Sequence, residues 1–132
     1  QMGMVASLFT MFTHHAKTTK ALIKYMRNCL LSTGAFVNER IAEEQVVDAI
    51  NFDVHMEKNI DGYRYIDRIT EIIPKDIYEG ENLYELRDIV RFIDGQYVVT
   101  GEISTNTRNQ IFCWLSSSEQ EEYNEIFNIQ TV

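Results

Sequence analysis

The chain lacks a phosphate-binding loop. Its six glycines form neither a Gly-x-x-x-x-Gly-Lys-Ser/Thr motif nor a strand-borne Gly-x-Gly-x-x-Gly motif, so no backbone cradle for a nucleotide phosphate is present. Cysteine is also scarce: Cys29 and Cys113 form no CxxC pair, which favours a reducing, cytoplasmic setting. The apolar run near Gln1 is shorter than a membrane span and lacks the basic leader of a signal peptide, so neither is predicted.

The composition is that of a folded domain. Apolar residues make up 45% of the 132 residues and aromatic residues 11%, which argues against disorder although the net charge is −8. A single domain covering residues 1–132 is therefore expected. Basic residues are concentrated in one stretch, namely Lys17, Lys20, Lys24, Arg27 and Arg40. The acidic total argues against nonspecific nucleic-acid binding, except through that stretch.

Two adjacent histidines follow a predicted strand. The apolar run at residues 8–12, which only Thr10 interrupts, is typical of a strand buried on both faces of a parallel sheet, and His14 and His15 lie just beyond it. Ligands of open α/β sheets bind beyond the carboxyl ends of the strands, so a histidine here could hydrogen-bond an anionic ligand; a purely structural role is the alternative. No metal site is predicted, because adjacent histidines point in different directions and zinc needs three or four ligands.

Two helices are predicted next. Apolar residues from 21 to 30 follow the three-and-four spacing of one helix face, with Thr18 or Thr19 as the N-cap. Gly34 is predicted to end this helix, and Asn38 to cap a second helix that reaches residue 50. The basic residues form a separate stripe on the first helix, which is either a solvated face or a contact surface for an anionic ligand or partner.

The rest of the chain is predicted to form β-hairpins and a helix. The predicted strands are residues 52–58 and 63–72, joined by a polar turn, and residues 86–93 and 96–103, joined by the type I′ turn Asp94-Gly95. Pro74 is predicted to end the first hairpin, with a polar connection at residues 75–82. Ser116 or Ser118, with Glu119 or Glu121 three residues later, predicts a capping box and a helix through Phe127.

The carboxylates are interpreted as solvated groups rather than acid–base residues: Asp48, Asp53, Asp61, Glu71 and those at residues 119–125.

Thr13-x-His15-Ala16 and three later motifs, the last of which ends at Glu71, together resemble motifs of the type II/IV secretion-system ATPases, the RecA-like P-loop motors of pilus assembly, conjugation and protein secretion. Thr13-x-His15-Ala16 is similar to the family's histidine box, which closes a strand of the core. Ala21 falls on the alanine that follows the box, whereas Lys24-Tyr25 replaces Arg-Leu, which keeps the charge but not the guanidinium fork. The other matches, in the same order and spacing, are Gln45-Val46-Val47-Asp48-Ala49 with Val54-His55, Asp61-Gly62-Tyr63-Arg64, and Ile69-Thr70-Glu71.

The resemblance implies a fold and an activity. The fold would be α/β, with the C-terminal part of a RecA-like P-loop NTPase core at residues 1–58, followed by antiparallel β-hairpins and terminal helices at residues 59–132. The activity would be that of a hexameric motor that uses ATP and Mg²⁺ at the cytoplasmic face of the membrane, with other secretion or pilus proteins as partners. The phosphate loop would precede Gln1, so this fragment alone should not hydrolyse ATP or hold a cofactor.

The same resemblance assigns roles to individual residues. His15 would sense the γ-phosphate or the attacking water, Thr13 would hold the end of the strand, and Lys24 would contact the nucleotide. Self-association through the uncovered apolar segment at residues 2–12 is also expected. The alternative hypothesis is a non-enzymatic α/β interaction domain that binds a protein partner through the basic helix at residues 17–31 and the hairpin edges, because no catalytic set is complete.

Overall fold

A computed structural model of the chain describes residues 11–75 and 82–128. These residues form a mixed α/β fold with four helices and a four-stranded antiparallel sheet of strand order β1-β2-β3-β4. The elements in chain order are α1 Thr19–Ser32, α2 Glu39–Ala49, β1 Phe52–Lys58, β2 Arg64–Pro74, β3 Tyr84–Ile93, β4 Gln96–Val99, α3 Thr105–Phe112 and α4 Ser117–Asn128. Most of the predicted strand at residues 8–12 lies outside the described residues, and residues 11–16 form neither helix nor strand.

Local signals determine where the two N-terminal helices begin and where the first one ends. The Thr18 hydroxyl accepts a hydrogen bond from the Ala21 N–H at 3.1 Å, which confirms one of the two predicted caps of α1. Gly34, with φ +77°, adopts the left-handed conformation just after α1, as predicted. The Asn38 side chain accepts from the Arg40 N–H at 2.8 Å and so caps α2.

Both predicted hairpins are confirmed. The Asn59 N–H donates to the Tyr63 carbonyl at 2.8 Å and closes the turn between β1 and β2. Between β3 and β4, Asp94 and Gly95 have φ values of 50° and 78°, the pair of positive angles that a type I′ turn requires. Pro74 is the last residue of β2, as predicted, but β4 ends at Val99 rather than at residue 103.

The two C-terminal helices depend on different caps. At α4, the Glu119 carboxylate accepts from the Ser116 N–H at 2.7 Å and the Glu119 N–H donates to the Ser116 hydroxyl at 3.3 Å, which is the predicted capping box. Terminal helices were expected within residues 59–132, but no range was predicted for α3. Its N-terminus is held by Glu71, a fully buried residue of β2 whose carboxylate accepts from the Ser104 N–H at 2.7 Å and from the Ser104 hydroxyl.

The described residues divide into two compact units. The first comprises residues 11–53, 72–75 and 82–86, and its apolar core consists of Ile23, Val46, Val47, Ile50 and Ile72, with Met26, Leu30 and Tyr84 against it. The second comprises residues 54–71 and 87–128. Its aromatic side chains form two clusters, one of Tyr65, Phe92 and Tyr97 on the sheet and one of Phe112, Tyr123 and Phe127 between α3 and α4.

We expect the core of the first unit to tolerate truncation poorly. Ile72→Ala should lower the free energy of unfolding by about 2–5 kcal/mol, because the buried side chain leaves a cavity in the core. Ile60→Ala is the matched control, since Ile60 is fully exposed in the β1–β2 turn and should change stability by less than about 0.5 kcal/mol. Urea denaturation of the two variants checks this; equal losses would contradict the described core.

Candidate functional site

A buried carboxylate connects three segments of the first unit. Asp53, the second residue of β1, is 3% exposed. Its Oδ2 accepts a hydrogen bond from the hydroxyl of Thr19, the first residue of α1, at 2.7 Å. Its Oδ1 lies 2.9 Å from Nε2 of His14, in the segment that precedes α1. A carboxylate buried to this degree requires such donors, because burial without them would cost several kcal/mol.

The hydrogen bonds of His14 determine its tautomer. The Ala16 N–H donates to Nδ1 of His14 at 3.2 Å, so Nδ1 acts as an acceptor and carries no proton. Nε2 then bears the proton and donates it to Asp53. Neutral His14 therefore connects the backbone at Ala16 to the start of β1, and both ring nitrogens are used in doing so.

The structure corrects the interpretation of two carboxylates. Asp53 and Glu71 were expected to be solvated, but both are buried and both accept hydrogen bonds from residues far along the chain. Asp48 and Asp61 are exposed, as expected. The sequence could not distinguish the two pairs, because the donors to Asp53 lie 34 and 39 residues away and the donor to Glu71 lies 33 residues away.

The two histidines after residue 13 have opposite environments. His14 is largely buried and bound to Asp53, whereas the neighbouring His15 is exposed. Thr13, the other predicted catalytic residue, is also exposed. His15, which matches the motif, is therefore the exposed histidine. His14, to which the resemblance assigns no role, is the largely buried one.

Lys24, the predicted nucleotide contact, lies in a basic groove of about 480 Å³ formed by α1, α2 and the start of β3. Its lining includes four cations and two glutamates, namely Lys20, Lys24, Arg27, Arg40, Glu39 and Glu43. Arg27 is paired with Glu43 at 3.7 Å, whereas Lys20 and Lys24 have no ion pair with any residue that the structure describes. Neither Thr13 nor His15 is part of the lining, so the three predicted site residues are not assembled in this groove.

The groove also contains a tyrosine whose phenol stays neutral. Burial raises the pKa of Tyr84, and the nearby Glu43 carboxylate raises this pKa further, whereas Arg27 opposes the rise. Tyr84 can therefore donate a hydrogen bond at the wall of the groove but does not add negative charge to it. Within the lining of the groove, the negative charge that offsets the lysines and arginines therefore comes from the carboxylates of Glu39 and Glu43.

In the second unit, one group of side chains could hold a metal ion: His55, Glu57 and Asp67, whose ligand atoms lie within 4.8 Å of one another. The sequence did not indicate it, because Asp67 belongs to a different strand from the other two. Both cysteines are free thiols exposed at the surface, and neither belongs to this group.

Comparison with known proteins adds no further assignment. No protein-family model, curated protein or solved structure matches the chain. Within residues 11–75 and 82–128, none of the helices combines the length and the hydropathy that crossing a membrane requires.

We expect the donor on α1 to stabilise the buried carboxylate. Thr19→Val keeps the shape of the side chain but removes the hydroxyl that Asp53 accepts from, and should lower the free energy of unfolding by about 1.5–3 kcal/mol, the usual worth of a hydrogen bond to a charged group. Thr13→Val is the control, because this exposed threonine should contribute less than about 0.5 kcal/mol. Thermal and urea denaturation measure both; a Thr19 variant as stable as the control would show that Asp53 does not need this donor.

Proposed function

We propose that this chain is the C-terminal part of a hexameric ATP-driven motor of a type II/IV secretion, conjugal-transfer or pilus-assembly system. The observation that carries the proposal is the series of four motifs, in order and at matching spacing, between Thr13 and Glu71. Phosphoryl transfer needs a phosphate loop and an acidic segment that binds Mg²⁺. In such a motor both would precede this part of the chain. The motor would work at the cytoplasmic face of the membrane with other secretion or pilus proteins.

The setting of His15 supports the proposed role of a phosphate or water sensor. Its backbone is fixed on both sides, since His14 is bound to Asp53 and the Ala16 N–H is bound to His14. The His15 ring itself is exposed. A residue whose backbone is held in this way has less conformational freedom to lose when it meets a ligand, which favours an effective electrostatic contact to a developing charge.

The environments of the other motif residues are compatible with a scaffold around such a sensor. Glu71, the glutamate of the Ile-x-Glu motif, is buried and caps α3. Asp61 and Gly62 form the β1–β2 turn, where Gly62 has φ +88°, a conformation that favours glycine. Glu71 and Gly62 therefore have structural roles, whereas Thr13 and His15 are exposed and available to act on a ligand.

Substitution of the two histidines separates catalysis from folding. In the motor that contains the phosphate loop, His15→Ala should lower Mg²⁺-dependent ATP turnover about a hundredfold, the cost of losing one hydrogen bond to developing charge, and should lower turnover more than nucleotide binding. His14→Gln should instead lower the melting temperature, because it disturbs the bond to Asp53, and should lower turnover less than the His15 variant does, because His14 acts only by holding the backbone of His15.

Steady-state ATPase assays, nucleotide titration and thermal denaturation give the three readouts. Full turnover in the His15 variant would remove this residue from the mechanism while leaving the motor assignment in place. An upstream segment that contains no Gly-x-x-x-x-Gly-Lys-Ser/Thr motif after a predicted strand would overturn the motor assignment itself.

The basic groove favours a second candidate function, that of a non-enzymatic interaction domain. Lys20 and Lys24 are exposed on one face of α1 and have no ion-pair partner among the described residues, in a chain whose net charge is −8. A groove with this local excess of positive charge suits an acidic segment of a protein partner. Arg27 and Arg40 are each close to a glutamate, so the two lysines are the residues that would determine such binding.

Charge reversal tests this second function. Binding of a fluorescent oligo-glutamate peptide at low ionic strength should fall at least about tenfold in Lys20→Glu/Lys24→Glu, because each close charge pair contributes on the order of 1 kcal/mol or more. Lys58→Glu/Arg64→Glu changes the net charge equally at two exposed positions outside the groove and should retain binding. Fluorescence anisotropy measures both, and equal losses would mean that only net charge matters.

A further inference from the structure

The β1–β2 hairpin brings one histidine and two carboxylates together on one side. His55 and Glu57 are two residues apart on β1, so their side chains project from the same face of the strand. The turn is closed by the bond from Asn59 to Tyr63, and counting four residues outward along each strand places His55 opposite Asp67. Three potential ligands from two strands thus meet at one place in the second unit.

The distance between His55 and Asp67 suits two ligands of one tetrahedral metal ion. Nδ1 of His55 lies 3.4 Å from Oδ2 of Asp67, and ligand atoms bound to one zinc ion at the usual lengths lie roughly 3.3–3.5 Å apart. Oε1 of Glu57 lies 3.7 Å from the other ring nitrogen, Nε2, so Glu57 must change its rotamer to reach an ion bound at Nδ1. The Glu57 side chain is 51% exposed and has several rotamers, so it can move to complete the set without any change in the strand.

The histidine nitrogen at this place lacks a hydrogen bond. Nδ1 of His55 is buried and has no hydrogen-bond partner among the residues that the structure describes. The side chain as a whole is 15% exposed. The contact with Asp67 is close but does not have hydrogen-bond geometry, so a simple ion pair of a protonated imidazole leaves this nitrogen unsatisfied. A metal ion between the nitrogen and the carboxylate would satisfy both at once.

We propose that His55, Glu57 and Asp67 form a binding site for a divalent transition-metal ion. One imidazole nitrogen and two carboxylate oxygens are ligands that zinc accepts, and three protein ligands leave the fourth tetrahedral position to water. Magnesium is disfavoured, because it prefers octahedral oxygen ligands and keeps several of its waters. The bound ion would join β1 to β2 beside the turn and would stabilise the hairpin by binding only the folded state. The proposal does not depend on the motor function, although His55 belongs to one of the four motifs.

The test uses the full chain with both exposed cysteines replaced, Cys29→Ser and Cys113→Ser, so that thiols cannot bind the metal. Isothermal titration with Zn²⁺ at neutral pH should show one equivalent bound per chain, and Zn²⁺ should raise the melting temperature. Co²⁺ should give the visible absorption of a tetrahedral site. His55→Gln should weaken Zn²⁺ binding by at least about tenfold and abolish the rise in melting temperature, since even the loss of an outer-shell partner costs 10–100-fold.

Two further variants keep the result interpretable. Glu57→Gln alters an exposed side chain and so should leave the fold intact while weakening Zn²⁺ binding. His15→Gln is the matched control, because it removes an exposed imidazole outside the group and should leave the affinity unchanged. Binding that survives in both the His55 and Glu57 variants, or that is lost equally in the His15 variant, would overturn the proposed site, as would the absence of any binding to the starting protein.

Discussion

The first unit depends on a carboxylate that must not be left without donors. Asp53 is buried at the start of β1, and the groups that satisfy it come from α1 and from the segment before α1. The acid therefore specifies an arrangement as well as contributing to stability: the helix start, the preceding segment and the strand must all be in place before its burial is tolerable. The apolar residues around Ile72 supply the driving force for burial, but they do not by themselves determine how these three segments are placed relative to one another.

The three histidines of the chain occupy three different chemical environments. His14 is neutral and uses both ring nitrogens in hydrogen bonds, which makes it a structural residue. His15, next to it, is exposed and is positioned by its neighbours. His55 lies between two carboxylates, with a buried nitrogen that lacks a hydrogen bond. The division follows from the contacts of each ring, and it could not be read from residue type.

Sequence reasoning succeeded where the signal and its effect lie within a few residues. The caps Thr18 and Asn38, the turn Asp94-Gly95 and the Ser116–Glu119 capping box are all local, and the structure contains each of them. It failed where the partner is distant, as it did for the burial of Asp53 and Glu71 and for the start of α3. Spacing along the chain likewise gave no reason to join Asp67 to His55, since only the hairpin brings them together.

The bond between Glu71 and Ser104 has a consequence for the order of events during synthesis. The carboxylate leaves the ribosome 33 residues before the serine that binds it, a delay of roughly two to seven seconds at ordinary elongation rates. Throughout that interval Glu71 lacks the donor that it has in the folded protein, so burial of this part of β2 before α3 forms would leave the acid without that donor. The formation of α3 therefore determines when the segment of β2 around Glu71 can be buried.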